Sequence, residues 1–364
     1  MKTVHPVFLL VLVCCAAVVC AAACAHLSTV RDSSGVPLPL EVSAMKPVHL
    51  NGTVQWIYEA GLDASNPVLL WLDGGPGGSE VAWVRRYLGP LHEHFTIVCW
   101  DQRGTARSYS AGSGSGALEV ERFVEDVIAL SHLLTEKYGV DRIYLTGHSW
   151  GSVIGVRALA REPDLFAAYI GIGQQVNGIE NDLTGWRMVR EGALRNGDHA
   201  VVRQLDRNGP PPYDDGERYF YLLSRLYRYS PRPADGERFD SALMFRAPEH
   251  RLIDRINLVR GLIRGVKEVY PQIGRLDFEQ EVPSLAVPVF FAVGRFDFTC
   301  VSEITARWLE GLDAPHKELR WFEASGHEPC YTESAAFMEW MTEHILPLTA
   351  SRVMRREGGP DDAF

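Results

Sequence analysis

Short apolar runs alternate with stretches of helical periodicity along most of this chain. Six such runs lie at residues 68–72, 96–100, 143–146, 167–172, 289–293 and 319–322. Runs of this kind are typical of parallel strands covered on both faces, because neither face needs polar residues. Apolar residues recur at helical spacing in residues 80–87, 120–138, 152–161, 303–312 and 334–345. The alternation predicts an α/β fold with a mostly parallel sheet flanked by helices.

Residues 48–58 show a different pattern. Polar and apolar residues alternate there around Asn51-Gly52, a dipeptide that favours a two-residue hairpin turn. We therefore expect an antiparallel pair of strands at one edge of the sheet.

The alternation of strands and helices stops near residue 174 and resumes near residue 282. The intervening segment is rich in arginine, tyrosine and proline, and it contains seventeen acidic and seventeen basic residues. We predict a helical lid at 174–281, inserted between two parts of one core at 31–173 and 282–347. Residues 348–364 are predicted to form a disordered tail.

The N-terminal segment, residues 1–25, is typical of an export signal. Residues 7–25 lack charged side chains, follow Lys2 and end in Ala21-Ala22-Ala23-Cys24-Ala25. Three outcomes fit this pattern: a cleaved signal peptide, a lipid anchor on Cys24, or an uncleaved membrane anchor. In each case we expect an exported protein, either secreted or periplasmic or attached to a membrane.

The net charge of the 364-residue chain is −10. Nucleic-acid binding needs a basic surface, so we expect no nucleic-acid partner. No His-x-x-x-His pair occurs, and no metal is predicted. The glycine string at 74–78 is not followed by the Lys-Ser/Thr pair of a phosphate-binding loop, so no nucleotide cofactor is predicted.

A candidate nucleophile lies in Gly147-His148-Ser149-Trp150-Gly151, between a predicted strand and a predicted helix. The glycines two positions on either side of Ser149 leave room for a strained turn. The N–H of Trp150, at the helix start, is placed to stabilise the oxyanion that forms when serine attacks an acyl carbon. The alternative is an ordinary glycine-rich turn.

A serine nucleophile needs a base, and the base needs an acidic partner. In hydrolases built on a sheet, these groups follow one another in the order serine, acid, histidine. Asp297 and His327 each follow a predicted strand by a short loop, at the strand ends where open α/β sheets build their sites. Asp313 is the alternative acid, but it lies in a turn leading from a helix into a strand, at the opposite edge.

The glycine-rich segment 72–78 directly follows the first predicted parallel strand. A glycine string of this kind lets a backbone N–H approach a ligand closely. Gly75 is therefore predicted as the second oxyanion donor.

Three cysteines lie outside the N-terminal segment. Cys99 falls in an apolar run and is predicted to be a core residue. Cys300 and Cys330 each follow a candidate catalytic residue by three positions. Because those two loops must converge and export implies an oxidising compartment, a disulfide between Cys300 and Cys330 is predicted.

Several of these segments together resemble the prolyl iminopeptidase branch of the α/β-hydrolase fold, over about residues 48–345. The segments are Asp73-Gly74-Gly75-Pro76-Gly77-Gly78, Asp101-Gln102-Arg103-Gly104, Gly147-His148-Ser149-Trp150-Gly151, Gly294-Arg295-Phe296-Asp297 and Ser325-Gly326-His327. The resemblance implies that Ser149 is the nucleophile, His327 the base and Asp297 its orienting acid. It also implies an oxyanion hole formed by the N–H groups of Gly75 and Trp150.

The chain departs from the family pattern at several positions. The family usually has histidine where Asp73 stands and glycine where Ala106 and His148 stand. The predicted lid also lacks the Trp-x-x-Trp-Glu pattern with which typical members hold a substrate's free amino terminus. Glu180, at the start of the lid, is the predicted substitute; the alternative is a solvated loop acid.

These features predict a serine hydrolase that works through an acyl-enzyme. We expect an aminopeptidase that releases N-terminal proline, or a similar residue, from short peptides or amides. A carboxylic ester hydrolase is the alternative, because the same three residues cleave esters and the amine-binding pattern is absent. A non-catalytic binding protein on the same scaffold is a further alternative.

Overall fold

The computed structural model describes residues 25–112, 118–231 and 239–353. In these residues, eight strands form one sheet in the order β1-β2-β4-β3-β5-β6-β7-β8. The strands are β1 Val42–Leu50, β2 Thr53–Gly61, β3 Val68–Leu72, β4 Thr96–Asp101, β5 Ile143–His148, β6 Phe166–Ile172, β7 Val289–Gly294 and β8 Lys317–Phe322. β1, β2 and β4 pair antiparallel, and the pairings from β4 through β3 to β8 are parallel. The predicted α/β fold is confirmed, and each predicted strand coincides with one of β3 to β8.

Helices cover the sheet on both sides. They are α1 Val81–Tyr87, α2 Val120–Tyr138, α3 Trp150–Arg161, α4 Gly178–Arg195, α5 His199–Asn208, α6 Gly216–Tyr229, α7 Leu252–Ile273, α8 Phe278–Glu281, α9 Ser302–Gly311, α10 Pro329–Thr332, α11 Ser334–Glu339 and α12 Leu346–Thr349. A π-helical turn, Trp340–Ile345, joins the last two. The five predicted helical stretches coincide with α1, α2, α3, α9 and the segment from α11 through the π-helical turn.

The central strands are buried on both faces, and their side chains alternate between two apolar clusters. On β3, Val68, Leu70 and Leu72 enter the cluster formed with α2 and α3. Leu69 and Trp71 enter the other cluster, which includes side chains of α1 and α11. This two-sided burial explains why the strands appear in the sequence as continuous apolar runs rather than as alternating patterns.

The predicted hairpin is confirmed as β1 and β2, whose register runs from Leu50 opposite Thr53 to Val42 opposite Gly61. The turn residues Asn51 and Gly52 have φ values of 46° and 78°. Positive φ at both positions is what a two-residue hairpin turn requires, and it accounts for this dipeptide.

The segment between β6 and β7 carries α4 to α8, and we call residues 174–281 the helical insertion. Its longest helix, α7, packs on the glycine-rich loop that follows β3. A Cβ on Gly77 would lie 2.5 Å from the carbonyl carbon of Gly261, and a Cβ on Gly265 would collide with the carbonyl oxygen of Pro76. The helix and the loop therefore meet backbone against backbone, which only glycine permits.

The two ends of the chain differ from the central core. The export segment predicted at residues 1–25 lies outside the described residues except for Ala25. Within the described ranges, no helix is both long and apolar enough to cross a membrane.

The predicted disordered tail is wrong in its first part, because residues up to Arg352 form helical turns. The Thr349 hydroxyl lies 3.0 Å from the Tyr144 hydroxyl of β5 and ties this end to the core; residues 354–364 lie outside the described ranges.

Candidate active site

Ser149 alone forms the turn between β5 and α3. Its φ is 52° and its ψ is −117°, a conformation that costs a residue with a Cβ about 1–3 kcal/mol. The Ser149 N–H donates to the Ile172 carbonyl oxygen at 2.9 Å and so fixes the turn against the end of β6. Strain that the surroundings enforce in this way is characteristic of functional sites.

The flanking glycines are required by close packing. A Cβ on Gly147 would lie 2.8 Å from the carbonyl oxygen of Gly151, and a Cβ on Gly151 would collide with the carbonyl oxygen of Leu72. The predicted need for small neighbours on both sides of Ser149 therefore has a direct structural cause: α3 begins in contact with β3 and β5.

His327 and Asp297 form a buried pair. Nδ1 of His327 lies 2.9 Å from Oδ2 of Asp297, and the two residues are 8% and 2% exposed. Oδ1 of Asp297 accepts the N–H groups of Thr299 and Cys300 at 2.8 and 2.9 Å. The carboxylate is thus held from both sides. Asp313 pairs with the chain at Pro283 and Leu285 and precedes β8, at the other end of that strand.

The loops that carry Asp297 and His327 come into contact where each has a glycine, Gly294 in one and Gly326 in the other. A Cβ on Gly294, at the end of β7, would collide with the carbonyl oxygen of Gly326. Gly173, after β6, approaches His327 in the same way, since a Cβ there would lie 2.9 Å from Nδ1. The imidazole is confined between the ends of β6 and β7.

The electrostatic surroundings favour the protonated form of His327. Burial alone would lower the pKa of His327, but the Asp297 carboxylate opposes this, assisted by Glu328 and Glu80, and the net result raises that pKa to about 9. With Nδ1 engaged by Asp297, Nε2 is the nitrogen that remains for proton transfer.

Ser149 and His327 line one cavity of about 520 Å³. Among the residues that the structure describes, the hydroxyl of Ser149 makes no hydrogen bond with His327, whose Nδ1 is engaged by Asp297. Contacts between nucleophile and base are often loose without substrate and tighten in the complex. The structure therefore brings the two groups to one surface and pairs the histidine with its acid.

The two predicted oxyanion donors lie together beside Ser149. Gly75, Trp150 and Ser149 line a smaller cavity of about 30 Å³, and Gly75 also borders the larger one. As the first residue of α3, Trp150 has an N–H with no acceptor inside the helix. Gln102 connects the glycine-rich segment to the start of α3. Its amide N–H donates to the carbonyl oxygen of Asp73 at 2.9 Å, and its amide oxygen accepts from the Trp150 indole at 2.8 Å. The Asp101–Gly104 turn thus has a supporting role beside the site.

The prediction for Glu180 is wrong. Its carboxylate accepts from the Arg307 guanidinium at 2.9 and 2.5 Å, and both side chains are about half exposed. Glu180 lines a separate surface cavity with Thr184 and Arg187, and not the cavities that contain Ser149. The first turn of α4 directs this carboxylate outward, toward α9.

The predicted disulfide is also wrong, since Cys300 and Cys330 are both free and buried. Cys300 donates its thiol hydrogen to Oε1 of Gln175 at 2.9 Å. Cys330, at the start of α10, packs into the apolar cluster that contains Trp83 and Phe337. The two loops converge, but their thiols have different partners. Cys99 is a buried core residue, as predicted.

Two buried polar residues beside Ser149 and His327 do not stand out from the sequence. Glu80, the residue before α1, contacts four hydrogen-bond donors. His148 contacts the backbone of His327. Their only sequence signals are an acid at the edge of an apolar helix and a histidine inside the serine turn. Asp73 is fully buried nearby; burial and the charge of Glu80 raise the pKa of Asp73 well above its usual value.

Comparisons with known proteins agree with this architecture. The family model described as alpha/beta hydrolase fold matches residues 67–203. The probable aminopeptidase YbaC of Bacillus subtilis (strain 168) is 30% identical over 318 residues, which cover 85% of this chain and 98% of that protein. The proline iminopeptidase of Saccharolobus solfataricus is 24% identical over 298 residues, covering 77% of this chain and 85% of that protein.

Solved structures share the fold. A proline iminopeptidase-related protein from Thermus thermophilus superposes with a TM-score of 0.53 at 23% identity, covering 85% of this chain and 99% of that one. The proline iminopeptidase of Mycobacterium smegmatis gives a TM-score of 0.61 at 14% identity, covering 85% and 99%. At these identities the two structures show the shared fold. The chain belongs to the α/β-hydrolase family, in its proline iminopeptidase-like branch.

Proposed function

We propose that this protein is a serine hydrolase that works through an acyl-enzyme. The observation that carries the proposal is the strained Ser149 turn, which shares a cavity with the Asp297-oriented imidazole of His327. Nε2 of His327 accepts the Ser149 proton as the oxygen attacks the acyl carbon, and then returns it to the departing amine. The N–H groups of Gly75 and Trp150 stabilise the oxyanion.

The favoured substrate is a short peptide or amino-acid amide with a small N-terminal residue such as proline. The full-length relationship to an aminopeptidase-named relative supports this class.

A carboxylate for the substrate's free amine is available in Glu328 rather than Glu180. Glu328 directly follows His327, is partly buried and lines the large cavity. The hydroxyl of Tyr227, from α6 of the helical insertion, donates to it at 2.9 Å. Glu80 borders the same cavity but already accepts from four donors and is 1% exposed. We therefore assign the amine contact to Glu328.

An ester hydrolase is the second candidate, and the large cavity favours it. Apolar side chains from α6 and α7 and from the turn at Ser241–Arg246 dominate its lining. They are Phe220, Leu223, Met244, Phe245, Val259, Leu262, Ile263 and Val266. Such a lining suits the hydrocarbon part of an ester without requiring a charged amine.

Labelling with a fluorophosphonate probe tests the mechanism. We expect stoichiometric labelling of Ser149 in the folded protein, none in Ser149→Ala, and a fall in hydrolysis of about 1,000-fold or more in that variant. If the wild-type protein is not labelled and hydrolyses neither amide nor ester, a non-catalytic binding role replaces the proposal.

A paired assay separates the two substrate classes. Prolyl naphthylamide and acetyl nitrophenyl ester are compared in wild type, Glu328→Gln and the matched control Glu180→Gln. For an aminopeptidase, Glu328→Gln lowers kcat/KM for the naphthylamide by roughly 10- to 100-fold and spares the ester, because only the amide substrate carries an ammonium group. Equal effects on both substrates contradict the amine contact, and a wild-type preference for the ester makes the esterase the better assignment.

We also propose that the protein is exported. The support is the uncharged segment 7–25 and its small-residue end at Ala25. N-terminal sequencing of protein recovered from cell fractions tests this. A new N-terminus near residue 25 indicates cleavage, and loss of membrane association in Cys24→Ala indicates a lipid anchor. Full-length protein in the cytoplasmic fraction contradicts export.

A further inference from the structure

Glu80 lies where three loops of the site meet. Its side chain is 1% exposed, and its two carboxylate oxygens accept from four donors. Oε1 lies 2.8 Å from the Gly74 N–H and 2.6 Å from Nδ1 of His148. Oε2 lies 2.9 Å from the Trp71 indole nitrogen and 2.6 Å from the Tyr331 hydroxyl.

These donors belong to separate parts of the catalytic apparatus. Gly74 precedes the oxyanion donor Gly75, and His148 precedes Ser149. Tyr331 lies on α10, four residues beyond His327. A single carboxylate thus joins the oxyanion loop, the nucleophile turn and the histidine loop.

His148 extends this connection to the catalytic base. Its Nε2 lies 3.2 Å from the backbone carbonyl oxygen of His327, and the two rings are 5.1 Å apart between centroids. His148 is 3% exposed, so water does not replace these contacts. The position of the His327 backbone is therefore set by the residue next to the nucleophile.

The hydrogen bonds around Glu80 favour its ionised form. Burial opposes ionisation of the carboxylate, but the facing His148 ring and the hydrogen bonds from the Tyr331 hydroxyl and the Gly74 N–H prevail, and the pKa of Glu80 is lowered. The Glu80 carboxylate and the His327 carbonyl oxygen contact different ring nitrogens of His148, so this one ring connects the carboxylate to the histidine loop.

We propose that Glu80, acting through His148, is a positioning residue that holds the His327 loop at its working distance from Ser149. The inference rests on the proposed serine hydrolase function. A carboxylate that served stability alone would not need donors from all three catalytic loops. Glu59 illustrates the contrast: it is 3% exposed and pairs with Lys46 and Lys137, away from the cavities that contain Ser149.

The decisive variant is Glu80→Gln, which keeps the shape of the side chain and removes its charge. The matched control is Glu59→Gln, which also removes a buried carboxylate from an ion pair. Single-turnover acylation is measured with prolyl naphthylamide and acetyl nitrophenyl ester, and fluorophosphonate labelling counts the active sites. The amide requires a proton from His327 for its leaving amine, whereas nitrophenolate departs without one.

We expect Glu80→Gln to lower the amide acylation rate per active site by about 10- to 100-fold, with a clearly smaller loss for the ester and little change in KM. Glu59→Gln is expected to change neither rate per active site. A uniform loss of both activities in Glu80→Gln, or rates equal to wild type, overturns the positioning role.

A second variant keeps the test decisive where Glu80→Gln does not fold. Tyr331→Phe removes one donor to Glu80 and retains the ring that packs against Trp71 and Trp83. We expect a smaller selective loss of amide acylation from it, and an unchanged amide-to-ester ratio contradicts the proposal. Failure of wild-type Ser149 to react with the probe contradicts the hydrolase function itself, and is thereby distinguished from failure of the positioning role.

Discussion

Nδ1 of His327 lies 2.9 Å from Oδ2 of Asp297, while the other oxygen of that carboxylate is held by two backbone N–H groups. The backbone donors hold the carboxylate in place, so the His327 ring that pairs with it has one defined orientation. In the proposed mechanism this relationship leaves Nε2 as the nitrogen that exchanges the proton, and the Asp297 carboxylate favours the protonated form of His327.

The first prediction concerns pH. The pKa of His327 is raised to about 9, and only the neutral imidazole accepts a proton from Ser149. We expect kcat/KM to rise from neutral pH toward a plateau above about 9. Asp297 is the group that raises the pKa of His327 most. In Asp297→Asn we therefore expect the midpoint of the pH–rate profile to move to lower pH, and the plateau value of kcat/KM to fall. A pH–rate profile of both proteins measures this; a midpoint that stays in place in Asp297→Asn contradicts it.

The second prediction concerns the strained turn. Ser149→Gly removes the Cβ that makes a φ of 52° unfavourable, whereas Ser149→Ala retains it. Both variants lose activity, but Ser149→Gly is expected to be more stable than Ser149→Ala by roughly 1 kcal/mol. Denaturant unfolding of the two variants measures the difference. Equal or lower stability of the glycine variant shows that the turn carries no such strain.

The third prediction concerns the contact between α7 and the glycine-rich loop. Gly265→Ala places a methyl group against the carbonyl oxygen of Pro76, next to Gly75, the proposed oxyanion donor. We expect a loss of about 1–3 kcal/mol in the free energy of unfolding and a fall in kcat. Gly311→Ala is the control, because a Cβ at Gly311 meets nothing within 4 Å. Identical stability of the two variants contradicts the packing described.

The fourth prediction concerns the thiols. Cys300 and Cys330 are buried and free, so a reductant leaves the melting temperature unchanged. Alkylation after unfolding, without reductant, is expected to modify both residues. Burial, with the nearby Asp297 charge, raises the pKa of the Cys300 thiol well above its usual value, and alkylation in the folded state is therefore slow. If both cysteines stay unmodified and the mass of the unreduced protein is two hydrogens lower than that of the reduced protein, the predicted disulfide is present after all.

Local patterns were sufficient for the parts of the molecule that depend on neighbouring residues. The apolar runs identified β3 to β8, Asn51-Gly52 identified the hairpin, and the glycines around Ser149 identified the strained turn. The pairing of Asp297 with His327 followed as well, because the ends of parallel strands meet at one edge of a sheet.

Local sequence patterns could not predict the direction in which side chains point within the converging loops. The sequence placed Cys300 and Cys330 on loops that do meet, yet one thiol turns toward Gln175 and the other into the core. Glu180 lies at the start of the helical insertion as expected, but α4 turns its carboxylate toward Arg307.

By itself, then, the sequence determined the order of strands and helices, the strained serine turn and the two loops that carry Asp297 and His327, since each depends on residues close together in the chain. The tertiary structure alone decided that Glu80 joins three of these loops and that Glu328, not Glu180, borders the cavity. Those contacts join residues up to 251 positions apart, and they depend on side-chain directions that are fixed only when the sheet, the helical insertion and the loops pack together.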